Sequence, residues 1–429
     1  MPKASIVVPC YNAQDYLEET LASAQAQTVS DIEIICVDDG STDSTPDILR
    51  QRASADSRIR VLSQENSGEG PARDAGLVAA TGEWVYFLDA DDLMDPTLLA
   101  EAIAQGEQTD SDIVIFQTTM LDDQTGEHRP CEWAFKRDWA VSDTFSPREY
   151  PGHIFNSFQN WVHNKLFSNA FLQSHDLHMQ RVHRTADLLF TCRALAEARR
   201  ITLIDKSLHL YRINNVHSAM STSDLYPLDF YKAFLALRTS LEEHGLWELY
   251  RDSFVNWAIE GIAVNLRFAK TYDTYRAIAS ELQQGGFDRL GITEFPREKS
   301  DLPFYYDQIR PLVEGSSEET LFRIAKSYRD EHGGAETAAS HARMRIEELE
   351  ETARRSEAAL AESREALMSS DDVIKEQRQR IEELESVLES VTGSASFKAG
   401  RAITFLPRHA RDLAYTAKHL IGRSRQKNR

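Results

Sequence analysis

Five short β-rich runs, at residues 5–8, 32–37, 59–62, 84–88 and 112–116, alternate with helical patterns. Few folds accept that alternation. Between the runs, Leu17, Leu21 and Ala24 recur at helical spacing, and Ser41-Thr42-Asp43 offers N-cap chemistry ahead of a second helix. A third helix is expected from about Pro71 to Thr81-Gly82. Strand–helix–strand units joined by right-handed crossovers give an α/β fold. The expectation is a Rossmann-like, mostly parallel sheet with helices on both faces. Ligands of such sheets bind outside the carboxyl ends of the strands, where strand order reverses.

Three polar clusters fall at such ends: Pro9-Cys10-Tyr11-Asn12, Asp38-Asp39-Gly40-Ser41 and Asp89-Ala90-Asp91-Asp92. The first turn has neither the GxGxxG of a dinucleotide site nor the GxxxxGK[ST] of a P-loop, which disfavours an NAD enzyme and a P-loop ATPase. Residues two apart in an extended segment face the same way, so Asp89 and Asp91 are expected to share one ligand, and hard carboxylate oxygens suit Mn2+ or Mg2+. Tyr11 supplies a face for base stacking, Asp38-Asp39 a carboxylate for a base or ribose, and Asn66 to Arg73 a glycine-containing loop that brings a cation to the same edge. Together these are the parts a nucleoside diphosphate needs.

The formal net charge of -20 argues against nucleic acid as a partner. Cys10, Cys36, Cys131 and Cys192 lack the close pairing of a metal knuckle and read as free cytosolic thiols. His153, His163, His175, His178 and His183 show no zinc-ligand spacing. No signal segment or spanning run is visible, so a cytoplasmic protein, peripheral at the inner face of the cell membrane, is expected.

After His332-Gly333-Gly334 a heptad register sets in, with Ile346, Ala353, Leu360, Leu367, Ile374, Ile381 and Leu388 at a. A coiled coil joining copies of the chain follows from it. Beyond Gly393, nine Lys or Arg residues interleave with apolar ones against Asp412 alone, a basic amphipathic pattern suited to an anionic membrane surface. The organisation is a sheet domain over 1–223, a helical subdomain over 224–333, a coiled coil over 334–392 and a basic tail over 393–429.

The order VPCYN, VDDGSTD, NSGEGPARDAG and FLDADD resembles family 2 glycosyltransferases of the bacterial cell-surface polysaccharide type, which have the GT-A fold. The resemblance implies transfer of a sugar from a nucleotide diphosphate donor, a uridine diphosphate sugar for preference, to a hydroxyl of a glycan or lipid-linked acceptor. It implies donor contacts at Pro9, Tyr11, Asn12, Asp39, Asn66, Arg73, Asp89, Ala90 and Asp91, with the metal at Asp91 and Asp89. The segment Trp161 to Phe167 is similar to the family's W-x-K-L-[FY] region, which places Trp161 and Lys165 toward the acceptor. Residues 210–218 resemble the region that closes over the diphosphate, which assigns Arg212 and His217 there. Thr185 to Phe190 is similar to the family's E-D-x-x-F pattern and makes Asp187 the general base, with Ala186 in place of the glutamate. That departure leaves a catalytically impaired scaffold as one alternative; nucleotidyl transfer is another.

Overall fold

The computed structural model describes residues 1–139, 142–214 and 224–332, together with 379–383 and Ser386. Residues Met1–Gly315 form one compact unit and Ser316–Arg429 a second. In the second unit the helix Ser317–His332 is described, as is the helical stretch 379–383. The rest of the expected coiled coil over 334–392, the basic tail over 393–429 and His217 lie outside the described residues.

The first unit opens with β1 (Ala4–Cys10), α1 (Leu17–Gln25), β2 (Ile32–Asp38), α2 (Thr45–Ala55), β3 (Ile59–Ser63), α3 (Glu69–Ala79) and β4 (Trp84–Phe87). It continues through β5 (Leu93–Met94), α4 (Leu98–Thr109), β6 (Ile113–Asp122), β7 (His128–Pro130), β8 (Thr144–Phe145), β9 (Lys165–Ser168), α5 (Asn169–Ser174), α6 (Asp187–Glu197) and β10 (Ile201–Ile213). Helices α7 (Asp229–Glu243), α8 (Trp247–Arg267), α9 (Tyr272–Glu281), α10 (Phe287–Arg289) and α11 (Pro303–Val313) complete it. Among the described residues, no helix is long and apolar enough to cross a membrane.

The sheet order is β3-β2-β1-β4-β9-β6-β10-β5. The first four strands are all parallel, as is the β6–β10 pair. β9 is antiparallel to both its neighbours, so the sheet is mixed. The chain grows outward from β1 to β3 and then crosses back to place β4 on the other side of β1. That reversal opens the crevice above Cys10, Asp38 and Phe87.

Burial on both faces explains the near-continuous apolar runs of β1 and β4. Ile6, Val8 and Tyr86 join Leu17, Leu21, Leu98 and Ala102 of α1 and α4 in one core. On the opposite face, Phe87 meets Phe190 of α6 edge-on at 5.5 Å, and Phe190 meets Phe167 of β9 at 5.4 Å. Phe190 lies one turn into α6, so this aromatic contact brings the first residue of that helix, Asp187, toward the carboxyl end of β4.

Candidate active site

The register Cys10↔Asp38 sets the turns after β1 and β2 side by side, and they interlock. Asn12, with φ 48°, accepts the Thr42 N–H at its Oδ1 (2.8 Å), while its own N–H donates to Ser41 Oγ (3.0 Å). Asn12, expected at the donor, therefore ties one loop to the other. The Ser41-Thr42-Asp43 group likewise serves this joint, since α2 begins later, at Thr45. Asp38 accepts the Ser41 N–H (3.0 Å) and is a turn residue. Pro9 is buried within β1. Tyr11 is 52% exposed, as a stacking platform requires.

Asp39 is 3% exposed and accepts Gln64 Nε2 (2.7 Å), Ser67 N (2.9 Å) and Gly68 N (2.8 Å). It thereby fixes the loop that leads into α3. Gly40 permits the approach: with φ +72°, a Cβ there would stand 2.8 Å from the Asn66 nitrogen. Asn66 itself is exposed at the edge of the loop.

Residues 89–92 are a turn, closed by Asp92 N–H to Asp89 O (3.1 Å), rather than the extended segment on which a shared facing of Asp89 and Asp91 depended. Arg73 Nη2 donates to Asp89 Oδ1 (2.5 Å) and to Glu69 Oε1 (2.5 Å), and His163 Nδ1 donates to Asp89 Oδ2 (3.2 Å). Burial works to raise the Asp89 pKa, but Arg73 and His163 outweigh it and hold the group below the usual carboxylate range. Both Asp89 oxygens are thus engaged, and the carboxylate is held in place by Arg73 and His163. Arg73 is 3% exposed, and its Nε has no hydrogen-bond partner among the described residues. The Ala90 carbonyl is held by Thr20 Oγ1 (3.0 Å). Asp91 is half-exposed, and its carbonyl accepts Arg212 Nε (2.7 Å). With its backbone pinned, Asp91 offers a hard carboxylate, the donor type suited to a divalent ion that keeps waters and shares substrate phosphates.

Arg212 departs from its expected role at the diphosphate. Its guanidinium also reaches Asp123 Oδ1 (2.8 Å) and Glu19 Oε2 (2.6 Å), and its N–H donates to Asp92 Oδ1 (2.8 Å). These bonds make it a brace beneath the turn. Asp92 is fully buried and meets His209 Nε2 at 3.0 Å. Burial pushes the Asp92 carboxyl up and the His209 imidazole down, which favours a neutral pair. His163 stacks on His209 at 4.4 Å. Asp92, His163 and His209 bring ligand atoms within 4.8 Å of one another. Asp92's oxygens are already satisfied internally, so the trio reads as a hydrogen-bonded buttress.

Asp187 accepts Asn160 Nδ2 at Oδ1 (3.3 Å). Burial raises its pKa, against the pull of Arg73 and His163, which suits a base. Thr185, two residues earlier, holds a left-handed φ of 63°, the kind of local strain that collects at functional sites. Trp161 tilts against Trp133 (5.0 Å), Tyr211 (5.0 Å) and His163 (4.8 Å). Lys165 does not reach an acceptor: it is fully buried, and its ammonium donates to the Gln159 and Trp161 carbonyls and to Asn164 Oδ1. It clamps the 159–164 loop, which carries Asn160 to Asp187 and His163 to Asp89. Replacing Lys165 with Met is expected to cost about 2–4 kcal/mol in urea unfolding, since buried acceptors left unsatisfied cost ~1–3 kcal/mol each. Transfer activity should fall with it.

Sequence spacing did not reveal Asn160, His163, His209 or Glu69, because each is set by a tertiary contact. Glu69 and His163 lay inside segments that were recognised, but neither was singled out there.

The sequence model of Glycosyl transferase family 2 matches residues 5–174. EpsH of Bacillus subtilis, named a glycosyltransferase, is 30% identical over 269 residues, 59% of this chain and 74% of EpsH. Poly(ribitol-phosphate) β-N-acetylglucosaminyltransferase TarS of Staphylococcus aureus is 26% identical over 321 residues, 73% of this chain and 53% of TarS. This chain thus spans about half of TarS and about three quarters of EpsH. A crystal structure of Staphylococcus aureus TarS in complex with UDP-GlcNAc superimposes with a TM-score of 0.58 at 22% identity, covering 76% of this chain and 92% of that one. At that identity the likeness establishes the fold.

Proposed function

The chain belongs to glycosyl transferase family 2, and from that premise we propose that it moves a sugar from a uridine diphosphate donor to a hydroxyl of a cell-surface glycan or glycoconjugate, with inversion. The observation that carries this reading is the convergence of Asp187, Arg73, Asp89 and the Asp91 turn at the crevice above β1 and β4. The name of TarS and its complex with UDP-GlcNAc support the donor class and an envelope polymer as acceptor.

In the proposed displacement Asp187 takes the proton of the acceptor hydroxyl. That oxygen bonds to the anomeric carbon as the bond to the diphosphate oxygen breaks, and the electron pair leaves with the nucleoside diphosphate. Arg73 offers positive charge beside the departing group, and Tyr11 and Asp39 frame the base. Mn2+ or Mg2+ held by Asp91 would supply Lewis-acid stabilisation of the leaving diphosphate. The heptad repeat and the basic tail support self-association and docking on the anionic inner membrane face, and the domain order read from the sequence is kept as part of this proposal.

A panel of nucleotide sugars, incubated with Mn2+ and octyl glycosides of hexoses and N-acetylhexosamines, tests the reading. The expected result is nucleoside diphosphate release with a product of inverted anomeric configuration by NMR. Pyrophosphate release would point to nucleotidyl transfer instead. Ala186 favours one second reading, an impaired scaffold, which predicts metal-dependent donor binding without turnover.

A further inference from the structure

The residue before the base is alanine in this chain, yet the first turn of another helix, which begins with a glutamate, packs beside it. Glu69 begins α3 and Asp187 begins α6, and the two helix N-termini meet. A Cβ added to Gly70 would stand 3.1 Å from the Cβ of Ala186 and 2.6 Å from the Gln180 carbonyl. Asp74 Oδ1 of α3 accepts the Met179 N–H (2.8 Å), which locks α3 to the segment that precedes α6. Ala186 thus packs against the first turn of α3, next to Glu69.

An ordinary i,i+4 ion pair would lie on the surface and do no more than support its helix. This one is aimed inward. Arg73 is 3% exposed and divided between Glu69 and Asp89, whereas the Glu69 side chain is 42% exposed. Glu69 Oε1 takes the guanidinium, and among the described residues Oε2 accepts no hydrogen bond. Besides Arg73, the charges that bear on Glu69 are Asp89, Asp187 and Asp91, the acids of the site.

We infer that Glu69 is the second acceptor-side carboxylate of this site, standing in for the glutamate absent at 186, and that it accepts a hydrogen bond from a hydroxyl neighbouring the one Asp187 deprotonates. The acceptor is then a polyol or sugar with vicinal hydroxyls. The inference rests on the transferase reading and adds a positioning group to it. Arg73 supplies the second indication of a ligand here, since its buried Nε is unpartnered beside the same carboxylate.

The test compares wild type with Glu69→Gln, which keeps the side-chain shape and an oxygen for Arg73. It uses the octyl glycoside that supports turnover and the deoxy analogue lacking the neighbouring hydroxyl. Expected are a tenfold or greater loss in acceptor kcat/KM for Glu69→Gln and a donor KM within twofold. The deoxy analogue should cost the wild type a similar factor and cost the variant little more. An acceptor kcat/KM within twofold of wild type, equal penalties for the deoxy analogue in both proteins, or a parallel loss of donor affinity would each overturn the inference. A thermal melt separates a folding defect from these outcomes, and Glu69→Asp, which retains the charge, should recover part of the loss. If the wild type itself releases no nucleoside diphosphate with any donor, the transferase reading fails, and that result is distinct from any effect of Glu69.

Discussion

Asp187→Asn is expected to reduce sugar transfer by about 10²–10⁴-fold, the usual contribution of a positioned general base, and to make the protein more stable at neutral pH. Both effects come from the same burial. The Asp187 pKa is raised in the folded chain, mainly by burial, so the folded state holds this proton more tightly than the unfolded chain does. The stabilisation it brings is complete below the unfolded value of about 3.9 and is lost as pH rises through the higher folded value. Asparagine keeps an oxygen for Asn160 Nδ2 and carries no charge to desolvate. Its melting temperature should therefore exceed that of wild type by a margin that grows from pH 4 to pH 8. Wild-type activity should rise across the same limb as Asp187 ionises. Retained turnover in the variant, or a lower melting temperature across the range, would remove Asp187 from the role of base.

The parallel half of the sheet could be read from the sequence because each strand carries its own signal: a short apolar run, a crossover of helical period and a polar turn at the carboxyl end. β9 could not. Lys165–Ser168 is four residues long, and it enters between β4 and β6 only because Phe167 finds Phe87 and Phe190. Strand-end clusters and the loop into α3 brought Asp39, Arg73, Asp89 and Asp91 to one edge, and Asp187 was added to it by the family resemblance alone.

The division of labour among those residues was not legible. Lys165 and Arg212 look like ligand contacts by residue type, and a long cation near a site is usually read so. Their partners, the carbonyls of Gln159 and Trp161 for one and Glu19, Asp91 and Asp123 for the other, lie on segments whose positions only the fold determines. His163 was set aside on ligand spacing, a test that sees neighbours in sequence. Its partners Asp89 and His209 come from β4's end and β10.

The Asp-x-Asp carries the second large expectation, because its two acids should fail in different ways. Asp91→Asn, at a partly exposed turn position, should cost less folding stability than Asp89→Asn. It should lower turnover by about 10²–10³-fold, the scale on which a single electrostatic stabiliser of a leaving group acts. The dependence of the residual rate on Mn2+ should weaken in step. Asp89→Asn removes the negative partner of a buried guanidinium that then has Glu69 alone, and breaking a buried pair costs about 3–5 kcal/mol. That variant should unfold at markedly lower urea, and the depressed Asp89 pKa gives the wild type a matching acid sensitivity. With its folded value held below the unfolded one, mainly by Arg73 against burial, the stability Asp89 contributes is full above about pH 4 and is lost as the pH falls toward the folded value. The gap in urea midpoint between wild type and Asp89→Asn should therefore be widest at pH 6 and begin to narrow at pH 3, while Asp91→Asn stays closer to the wild type at both. Equal loss of stability in the two variants would mean that Asp91 is as much a part of the frame as Asp89, and the metal would then need another ligand.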